Sequence, residues 1–377
     1  MKFNGRYQRA LVQIKRLCYS GLDDRQLRNE IIGLLHPITK SDLCCFQTVD
    51  PATGLITSNV REGIHDHAVS DSEHVFFEHL YFEDYLPAYR RLLHSGFPVN
   101  RLSDETSGNP GKAYRHRMLY APIGLDDEIR AVMHAGKNMW GTMVMAREKT
   151  ASHYSEQDAW LLAKLAPHIG AGFRTAMQQR MAATEPEAAP QNMDIPGLLI
   201  YNPGGYIESY TAAAVHWLRE LGELHPDWCR KELPVYITQV VSALKRSQSM
   251  LSDHDFEIVP ELARHGRNGR CITIKAYEMS ADEDKDRKIG IILGPAVHRD
   301  LIQFQTAAYG LTPQEKAIVH LVAKGNNSAE ISAKLSISTH TVQEHLSNIF
   351  DKVGVRSRRE VVKKIFLANL FEGAKSL

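Results

Sequence analysis

The 377-residue sequence lacks long apolar runs. No stretch approaches the roughly 20 consecutive apolar residues that cross a bilayer, which excludes a membrane-spanning helix. Residues 1–21 alternate apolar and charged side chains, whereas a secretory signal needs an unbroken apolar core. We therefore expect a cytoplasmic protein with no membrane partner.

Cysteine is scarce, and its spacing forms no CxxC pair. Reduced thiols in a cytosolic protein are the simplest interpretation of an odd number of cysteines. Cys44 and Cys45 are adjacent in a β-rich run, so their side chains point to opposite faces of a strand. At least one is expected to be a buried thiol, with a redox sensor as the alternative. The five cysteines are Cys18, Cys44, Cys45, Cys229 and Cys271.

The sequence also lacks the short motifs of common catalytic and metal sites. Neither G-x-S-x-G nor H-E-x-x-H is present, and the glycines of Gly108–Ala113 have the wrong spacing for a phosphate-binding loop. Four histidines cluster without a known metal-ligand spacing: His65, His67, His74 and His79. We expect a protein that is not an enzyme and has no metal and no cofactor.

Positive charge is concentrated at one end of the chain. Residues 311–377 contain ten Lys or Arg and six Asp or Glu, a net charge of +4, while the rest of the chain carries −3. A basic excess in a small domain suits a polyanionic partner, although many solvated surfaces have the same balance.

The length allows two or three domains. A segment rich in Ala, Glu and Pro, residues 181–193, has the composition of a linker, and a second boundary falls near residues 295–305. The sequence shows no internal repeat. We predict a multidomain protein with parts at residues 1–180, 194–297 and 306–377.

The first part has an α+β pattern. Two amphipathic helices precede a hairpin that turns at residues 50–54, and Ser155 with Asp158 forms the N-terminal cap of a long closing helix. Three later runs are interpreted as strands: residues 116–124, 128–135 and 140–147.

This order of helices, hairpin, strands and closing helix resembles a GAF-type sensor domain. The resemblance rests on turns such as residues 50–54 and on the run W-G-T-M-V-M-A-R, and it implies a possible small-molecule effector. Residues of the predicted strands could line an effector pocket, or could be ordinary core: Met118, Tyr120, Met133, Trp140 and Met143.

The middle part also has an α+β pattern. A strand at residues 198–201 meets the turn at residues 202–205, and a second strand and a helix containing Trp217 follow. Two late strands come after the turn at Asn268-Gly269 and at residues 288–296. The order resembles a PAS-like fold.

In the C-terminal part, capping residues indicate where the helices begin and end. Thr312 and Glu315 form a capping box with Pro at the first helical position, and Gly325 ends that helix. A short helix over residues 328–335 and a turn precede a longer helix that Ser338 caps and Gly354 ends. Ser357 and Glu360 form a further capping box for a last helix, which contains Val361, Val362, Ile365 and Leu370.

These helices, all α in a four-helix arrangement, are typical of a helix-turn-helix domain. In the longer helix the apolar residues fall on one side and the polar residues on the other. The apolar stripe, including Val342, Leu346 and Ile349, would face the domain core. The polar stripe would then face outward, where a major groove is read.

This part closely resembles the LuxR-type (GerE-like) DNA-binding domain. The resemblance implies double-stranded DNA as the partner and homodimerisation through the last helix. The matching positions are Leu311, Thr312, Glu315, Ala323, Gly325, Glu330, Ile331, Leu335, Ile337, Ser338, Thr341, Val342, His345, Asn348, Ile349, Lys352 to Val355, and Arg358.

Two positions depart from the family pattern. Gln343 stands where the family usually has Lys, and Ala329 stands where it usually has Lys before Glu330. Each change removes a cation, and phosphate contacts supply much of DNA affinity. Gln343 could instead pair bidentately with adenine.

We predict base-edge contacts for Gln343, Glu344 and Ser347, with a solvated helix face as the alternative. Glu344 could accept from cytosine or repel phosphate. Phosphate contact or orientation of the helix is predicted for Thr341, His345, Asn348 and Lys352, and His345 could equally be a packed boundary residue. Ser338, Thr339 and His340 complete the predicted DNA-binding set.

The sequence thus predicts a sequence-specific DNA-binding transcription regulator controlled by an N-terminal sensor for a small effector or a partner. The alternative is a sensor or scaffold whose front half acts through protein contacts or an unrecognised enzymatic activity.

Overall fold

The computed structural model describes residues 5–63, 76–149, 151–183, 195–202, 205–222, 233–249, 259–279, 288–296, 306 and 309–367. The chain forms two compact units. One combines residues 1–177 with residues 194–295, and the other comprises residues 178–193 and 296–377. Both described sheets fall in the first unit. The division of the chain into three separate domains therefore stays a prediction.

The first sheet is antiparallel and has the order β2-β1-β5-β4-β3. Its strands are β1 (Leu43–Val49), β2 (Ile56–Gly63), β3 (Val99–Arg101), β4 (Leu125–Ala135) and β5 (Asn138–Glu148). The helices of this part are α1 (Gly5–Cys18), α2 (Asp24–Thr39), α3 (Leu86–His94), α4 (Leu102–Glu105) and α5 (Glu156–Ala183), and a π-helical segment, Phe76–Tyr85, leads into α3.

Local chemistry explains the ends of several of these elements. Asp50 accepts a hydrogen bond from the Ala52 amide at 2.8 Å in the β1–β2 turn, where Gly54 has a φ of 81°. The cap predicted for α5 is present: the Ser155 hydroxyl accepts from the Asp158 amide at 3.2 Å, and the Asp158 carboxylate accepts from the Ser155 amide at 2.7 Å.

The prediction of a strand over residues 116–124 is wrong. His116–Tyr120 is a π-helical turn and Ala121–Ile123 a 3₁₀ turn. Pro122 has no amide to donate to a strand partner, and Gly124, with a φ of 80°, turns the chain into β4. The apolar run therefore covers the sheet instead of joining it.

The second sheet has the order β7-β6-β10-β9-β8. Counted from the first strand of each sheet, this is the order 2-1-5-4-3 of the first sheet, so the two sheets share one topology. The strands are β6 (Gly197–Asn202), β7 (Tyr206–Tyr210), β8 (Glu261–His265), β9 (Cys271–Met279) and β10 (Lys288–Pro295), with the helices α6 (Ala212–Leu221) and α7 (Val235–Ser249).

The core of the second sheet domain surrounds Trp217, which is fully buried and donates from its indole Nε1 to the Ile195 carbonyl at 3.0 Å. The predicted strands β6, β7, β9 and β10 and the helix α6 are present. The helix α7 and the strand β8 were not predicted. The specific PAS-like assignment stays a prediction.

The second unit contains a helical domain with α8 (Pro313–Ala323), α9 (Ser328–Leu335), α10 (Thr339–Val353) and α11 (Arg358–Val362), which continues as a π-helical turn, Lys363–Leu367. Leu370, predicted in the last helix, lies outside the described residues. One apolar cluster joins all four helices and includes Ile318, Ile331, Val342, Ile349 and Val361. In the part of the chain that the structure describes, no helix has the length and apolarity to cross a membrane.

Candidate nucleic-acid interface and an apolar cavity

Hydrogen bonds at the helix ends fix the position of α10. The predicted capping box of α8 is complete: the Glu315 carboxylate accepts from the Thr312 amide at 2.7 Å, and the Thr312 hydroxyl accepts from the Glu315 amide at 3.2 Å. The Ser338 hydroxyl accepts from the Thr341 amide at 3.0 Å, and Gly354, with a φ of 68°, ends α10 as predicted.

Two caps differ from the prediction. Asn327 and Glu330 form a complete capping box at the start of α9 that was not predicted. At α11 the Ser357 hydroxyl accepts from the Glu360 amide at 3.2 Å, but the Glu360 carboxylate accepts from the Arg356 amide at 2.8 Å rather than from Ser357. The predicted reciprocal box is therefore wrong in its second bond, because the carboxylate reaches one residue further back.

The faces of α10 separate as the sequence predicts. Val342, Leu346, Ile349 and Val353 are buried. The predicted DNA-binding residues lie on the remaining surface and at the N-terminus of the helix. Thr341 and His345 are half-buried, and the exposed ones are Ser338, Thr339, His340, Gln343, Glu344, Ser347, Asn348 and Lys352.

The Gln343 side chain is held by a neighbour on α9. Its Nε2 donates to the Ser328 hydroxyl at 2.7 Å, and the Arg358 guanidinium donates to the same oxygen. Arg358 also approaches the Asn326 carbonyl at 3.5 Å. Sequence reasoning assigned no role to Ser328 or Arg358, since no local spacing reveals a contact between residues 15 and 30 positions apart.

Lys352 forms an ion pair inside the domain. Its Nζ donates to the two carboxylate oxygens of Glu315 at 2.8 and 2.6 Å, and the Glu315 side chain is only 3% exposed. Burial by itself would raise the pKa of Glu315, but the hydrogen bonds from Lys352 and Thr312 outweigh it and hold the pKa below its usual value. The geometry thus supports the second of the predicted roles of Lys352, orientation of α10 against α8.

A second feature is a cavity of about 260 Å³ in the first unit. It lies against the face of the first sheet that carries Leu43, Cys45 and Val144, and its lining is mostly apolar. The lining residues are Leu43, Cys45, Gln47, Ile56, Asn59, Arg61, Phe76, Phe77, Tyr85, Leu119, Tyr120, Ile123, Val144, Val235 and Tyr236.

Two tyrosines close one side of the cavity. The Tyr85 and Tyr120 hydroxyls are 2.6 Å apart and share a hydrogen bond. Burial raises the pKa of both phenols well above the usual value, so both stay protonated. Next to them, Arg130 lies over the Tyr85 ring at 5.1 Å and contacts Asp84 at 3.1 Å, which ties the π-helical segment to β4.

This tie is part of an ionic network whose two arginines and Glu128 are buried, while Asp84 and Glu105 reach the surface. Arg115 contacts Glu128 at 2.7 Å, Glu105 at 2.6 Å and Asp84 at 3.1 Å. Arg130 contacts the same three carboxylates. Because a buried charge is costly without partners, the network fixes the segment that covers the cavity.

The helix α7 forms a further wall of the cavity. Val235 and Tyr236 line the cavity. One turn further, Gln239 bonds the backbone of Ile56 on the edge strand β2, accepting from its amide at 2.7 Å and donating to its carbonyl at 2.9 Å. Arg246 contacts Glu83 of the π-helical segment at 3.0 Å. The opposite side of α7, with Ile237, Val240 and Val241, is buried in the second sheet domain.

Of the predicted pocket residues, Tyr120 lines this cavity. Met133, Trp140 and Met143 are buried but are not among its lining residues. Met143 pairs with Phe46, whose ring contacts Phe173 of α5, so it belongs to the other face of the sheet. Met118 is 41% exposed and lies in the π-helical turn His116–Tyr120, not in a strand.

The α7 residues of the cavity were missed by sequence reasoning. A signal was present, because the apolar residues at positions 237, 240, 241 and 244 have helical spacing. The β-branched residues around them obscured it, since Val, Ile and Thr favour strands.

The histidines and cysteines considered as metal or redox sites were located in the structure where it describes them. His65, His67 and His74 lie outside the described residues, as does the side chain of His79. Within the described ranges, no group of three or more His, Cys, Asp or Glu could hold a metal ion. Among the described residues, Cys18, Cys44, Cys45 and Cys271 are not in disulfide bonds. Burial raises the pKa of Cys18 to about 12 and that of Cys44 well above its usual value, which makes both unreactive.

A short helix, a tight turn and a longer two-faced helix, held by α8 and α11, define a helix-turn-helix domain. Residues 310–365 match the family model described as bacterial regulatory proteins, luxR family. This C-terminal segment is therefore a luxR-family domain.

The matched relatives share this segment. The transcriptional regulatory protein DesR of Bacillus subtilis is 37% identical over 73 residues, 19% of this chain and 35% of DesR. The putative HTH-type transcriptional regulator Mb0914c of Mycobacterium bovis is 40% identical over 52 residues, 14% of this chain and 6% of that protein. The chain thus spans about a third or less of these relatives.

Among solved structures, the GAF domain of a phosphoenolpyruvate-protein phosphotransferase (ptsP) from Coxiella burnetii aligns with a TM-score of 0.32 and 14% identity. The alignment covers 46% of this chain and 96% of that chain.

Proposed function

We propose that the protein is a sequence-specific DNA-binding transcription regulator, and that its front unit is a sensor controlling the luxR-type domain. The observation that carries the proposal is the two-faced α10. Its apolar stripe is buried and its polar residues are exposed next to the N-terminal cap at Ser338. This is the arrangement with which a recognition helix enters a major groove.

Gln343 is proposed as the main base-reading residue. A primary amide has two N–H donors and one carbonyl acceptor. Ser328 takes one donor, so one N–H and the carbonyl remain for the bidentate pairing that Gln makes with adenine. Ser347 and Glu344 lie on the same exposed surface.

The regulator is proposed to bind as a homodimer through the last helix. Val361 and Ile365 are each 1% exposed and belong to the core of their own domain. Half-buried Val362 is therefore the residue of that helix proposed for the dimer contact.

Selection of binding sites by the full-length protein from a randomised duplex library, followed by fluorescence anisotropy between about 50 and 200 mM salt, tests the proposal. We expect affinity to fall steeply with salt. The double variant Gln343→Ala with Ser347→Ala should lose preference among selected sites by about tenfold or more, since each bidentate base contact supplies about 1–3 kcal/mol of discrimination.

The matched control is His320→Ala, which changes an exposed residue of α8. It should keep the wild-type preference. If folded wild-type protein binds no DNA, or binds it without salt dependence, the regulator proposal is overturned. If the double variant keeps the wild-type preference among DNA sites, the base-reading residues lie elsewhere.

A further inference from the structure

The cavity in the first unit is a pocket that is partly open to solvent and has a mostly apolar lining. Ligand sites in proteins are typically concave and apolar, with a few polar groups that fix the orientation of the ligand. This cavity has a volume of about 260 Å³ and a lining drawn from both sheet domains. We propose that it binds a small two-ring aromatic molecule carrying a hydrogen-bond acceptor, and that the ligand holds α7 against the first sheet.

The volume sets the size of the ligand. An apolar cavity of about 150 Å³ accepts one benzene molecule. The present cavity of about 260 Å³ thus has room for about 10–13 non-hydrogen atoms, the size of two fused rings.

The residues that line the cavity indicate which kind of ligand it binds. Five aromatic rings surround the space, from Phe76, Phe77, Tyr85, Tyr120 and Tyr236. Aromatic rings favour edge-to-face and offset contacts with a second ring system, so a flat aromatic ligand gains contact on several sides.

The polar side chains of the wall come from one pair of strands. Gln47 pairs with Asn59 across β1 and β2, and Cys45 pairs with Arg61. The side-chain Oε1 of Gln47 already accepts a hydrogen bond from the Thr142 hydroxyl at 2.7 Å. The part of the Gln47 side chain that can contact a ligand is therefore its N–H₂ donor group. The side-chain amides of Gln47 and Asn59 on this wall supply N–H donors, which favour a ligand with an acceptor atom.

The position of α7 couples the two sheet domains to the ligand. Val235 and Tyr236 would contact the ligand from one side while β1 and β2 contact it from the other. The Gln239 amide continues the edge of the first sheet through its two bonds to Ile56. A ligand that contacts both walls stabilises the closed arrangement over any in which α7 moves away.

The binding step stands on the cavity alone, and only its regulatory meaning rests on the proposed function. The test uses the full-length protein without DNA and two probes of equal shape, quinoline and naphthalene. They differ by one ring nitrogen, which is an acceptor. Titration followed by ligand-observed NMR should give about five- to tenfold tighter binding of quinoline, the ratio expected from one net hydrogen bond. Equal or weaker binding of quinoline overturns the proposed acceptor, and binding of neither probe overturns the site.

Cavity-filling variants locate the probe. Val235→Trp fills the space from the half-buried start of α7, and Cys45→Phe fills it from the sheet. Binding should be lost in each variant that keeps the wild-type circular dichroism. The control Ile292→Trp, on the exposed face of the second sheet, should bind as the wild type does. Retained binding in a folded filling variant overturns the location.

Hydrogen exchange tests the coupling. Quinoline should slow amide exchange over residues 235–249 by at least threefold and leave residues 212–221 unchanged. Gln239→Ala should weaken quinoline binding several-fold, whereas Lys245→Ala, an exposed residue of the same helix, should not. Unprotected α7 amides overturn the coupling. If the protein binds quinoline but no DNA, the ligand-binding proposal stands and the proposed regulator function is overturned.

Discussion

The two sheets of the first unit have the same strand order and opposite environments. In the first sheet nearly every residue of β4 and β5 is buried or half-buried on both faces. In the second sheet the residues of β6 alternate between buried and more exposed positions, and Ile292 of β10 is exposed on the same face as Leu198, which the described residues leave open. Exposed apolar residues of the second sheet are Leu198, Tyr206, Tyr277, Met279 and Ile292.

The difference shows that topology alone does not decide what a sheet does. The π-helical segment and α7 cover the first sheet and leave a cavity beneath them. The second sheet keeps its helices on one face and contributes α7 to the first sheet through Gln239 and Arg246. Substitutions in the two sheets should therefore have unequal effects.

The largest effect is expected at Trp217, in the core of the second sheet domain. Trp217→Ala should lower the free energy of unfolding by about 3–5 kcal/mol, because it removes a buried ring and leaves a cavity. Chemical denaturation followed by circular dichroism measures this. Tyr206→Ala, at a 46% exposed residue of the same domain, is the control and should change stability by less than about 0.5 kcal/mol. Equal losses would mean that the second sheet has no packed core of its own.

Gln239→Ala should have the next largest effect, a loss of about 2–3 kcal/mol. The variant leaves the Ile56 amide and carbonyl without the two bonds from Gln239, and each buried unsatisfied polar group costs about 1–3 kcal/mol. The same denaturation assay measures the loss. Lys245→Ala, exposed on the same helix, should be close to wild type. A Gln239→Ala protein as stable as the wild type would show that the Gln239–Ile56 hydrogen bonds do not stabilise the contact between the two sheet domains.

Asp50, at the β1–β2 turn of the first sheet, should make the free energy of unfolding depend on pH. Burial, aided by Glu261 of β8, raises its pKa to about 6, whereas the unfolded value is about 3.9. As the pH rises from about 4 to 6, the unfolded chain releases this proton before the folded chain does, so the contribution of Asp50 to stability is lost over that window. Asp50→Asn should gain about 1–2 kcal/mol relative to wild type at pH 7.5 and nothing at pH 4.

Urea unfolding at the two pH values checks this prediction. Asp351→Asn, at an exposed carboxylate of α10, should show no such pH dependence. A gain for Asp50→Asn that is equal at both pH values would contradict the raised pKa.

The smallest effect is expected on the open face of the second sheet. Ile292→Thr should change stability by less than about 0.5 kcal/mol, since Ile292 is 39% exposed. Val144→Thr, at the 6% exposed position of the first sheet, should cost about 1–2 kcal/mol through the buried hydroxyl. Thermal unfolding of both variants compares the faces directly, and equal costs would indicate that the open face is covered in solution.

The helical domain could be predicted almost completely from the sequence, because its signals are local. Thr312, Ser338 and Gly354 act within one helical turn, and the apolar spacing of α10 fixes its buried face. The α+β pattern around the two sheets was also predictable from turns and strand runs. The helical turn at residues 116–124 was not, since an apolar run near a proline suits either a strand or a cover over a sheet.

The sequence by itself determined that residues 310–365 form a helix-turn-helix domain and which face of α10 is exposed. Capping and helical periodicity depend on residues three or four positions apart, so they can be read without the fold. Only the tertiary structure decided that Gln343 meets Ser328 and Arg358, that Lys352 pairs with Glu315, and that α7 closes a cavity on the first sheet. These contacts join residues 15 to 183 positions apart, and such pairings are set by how the elements pack and not by any local pattern.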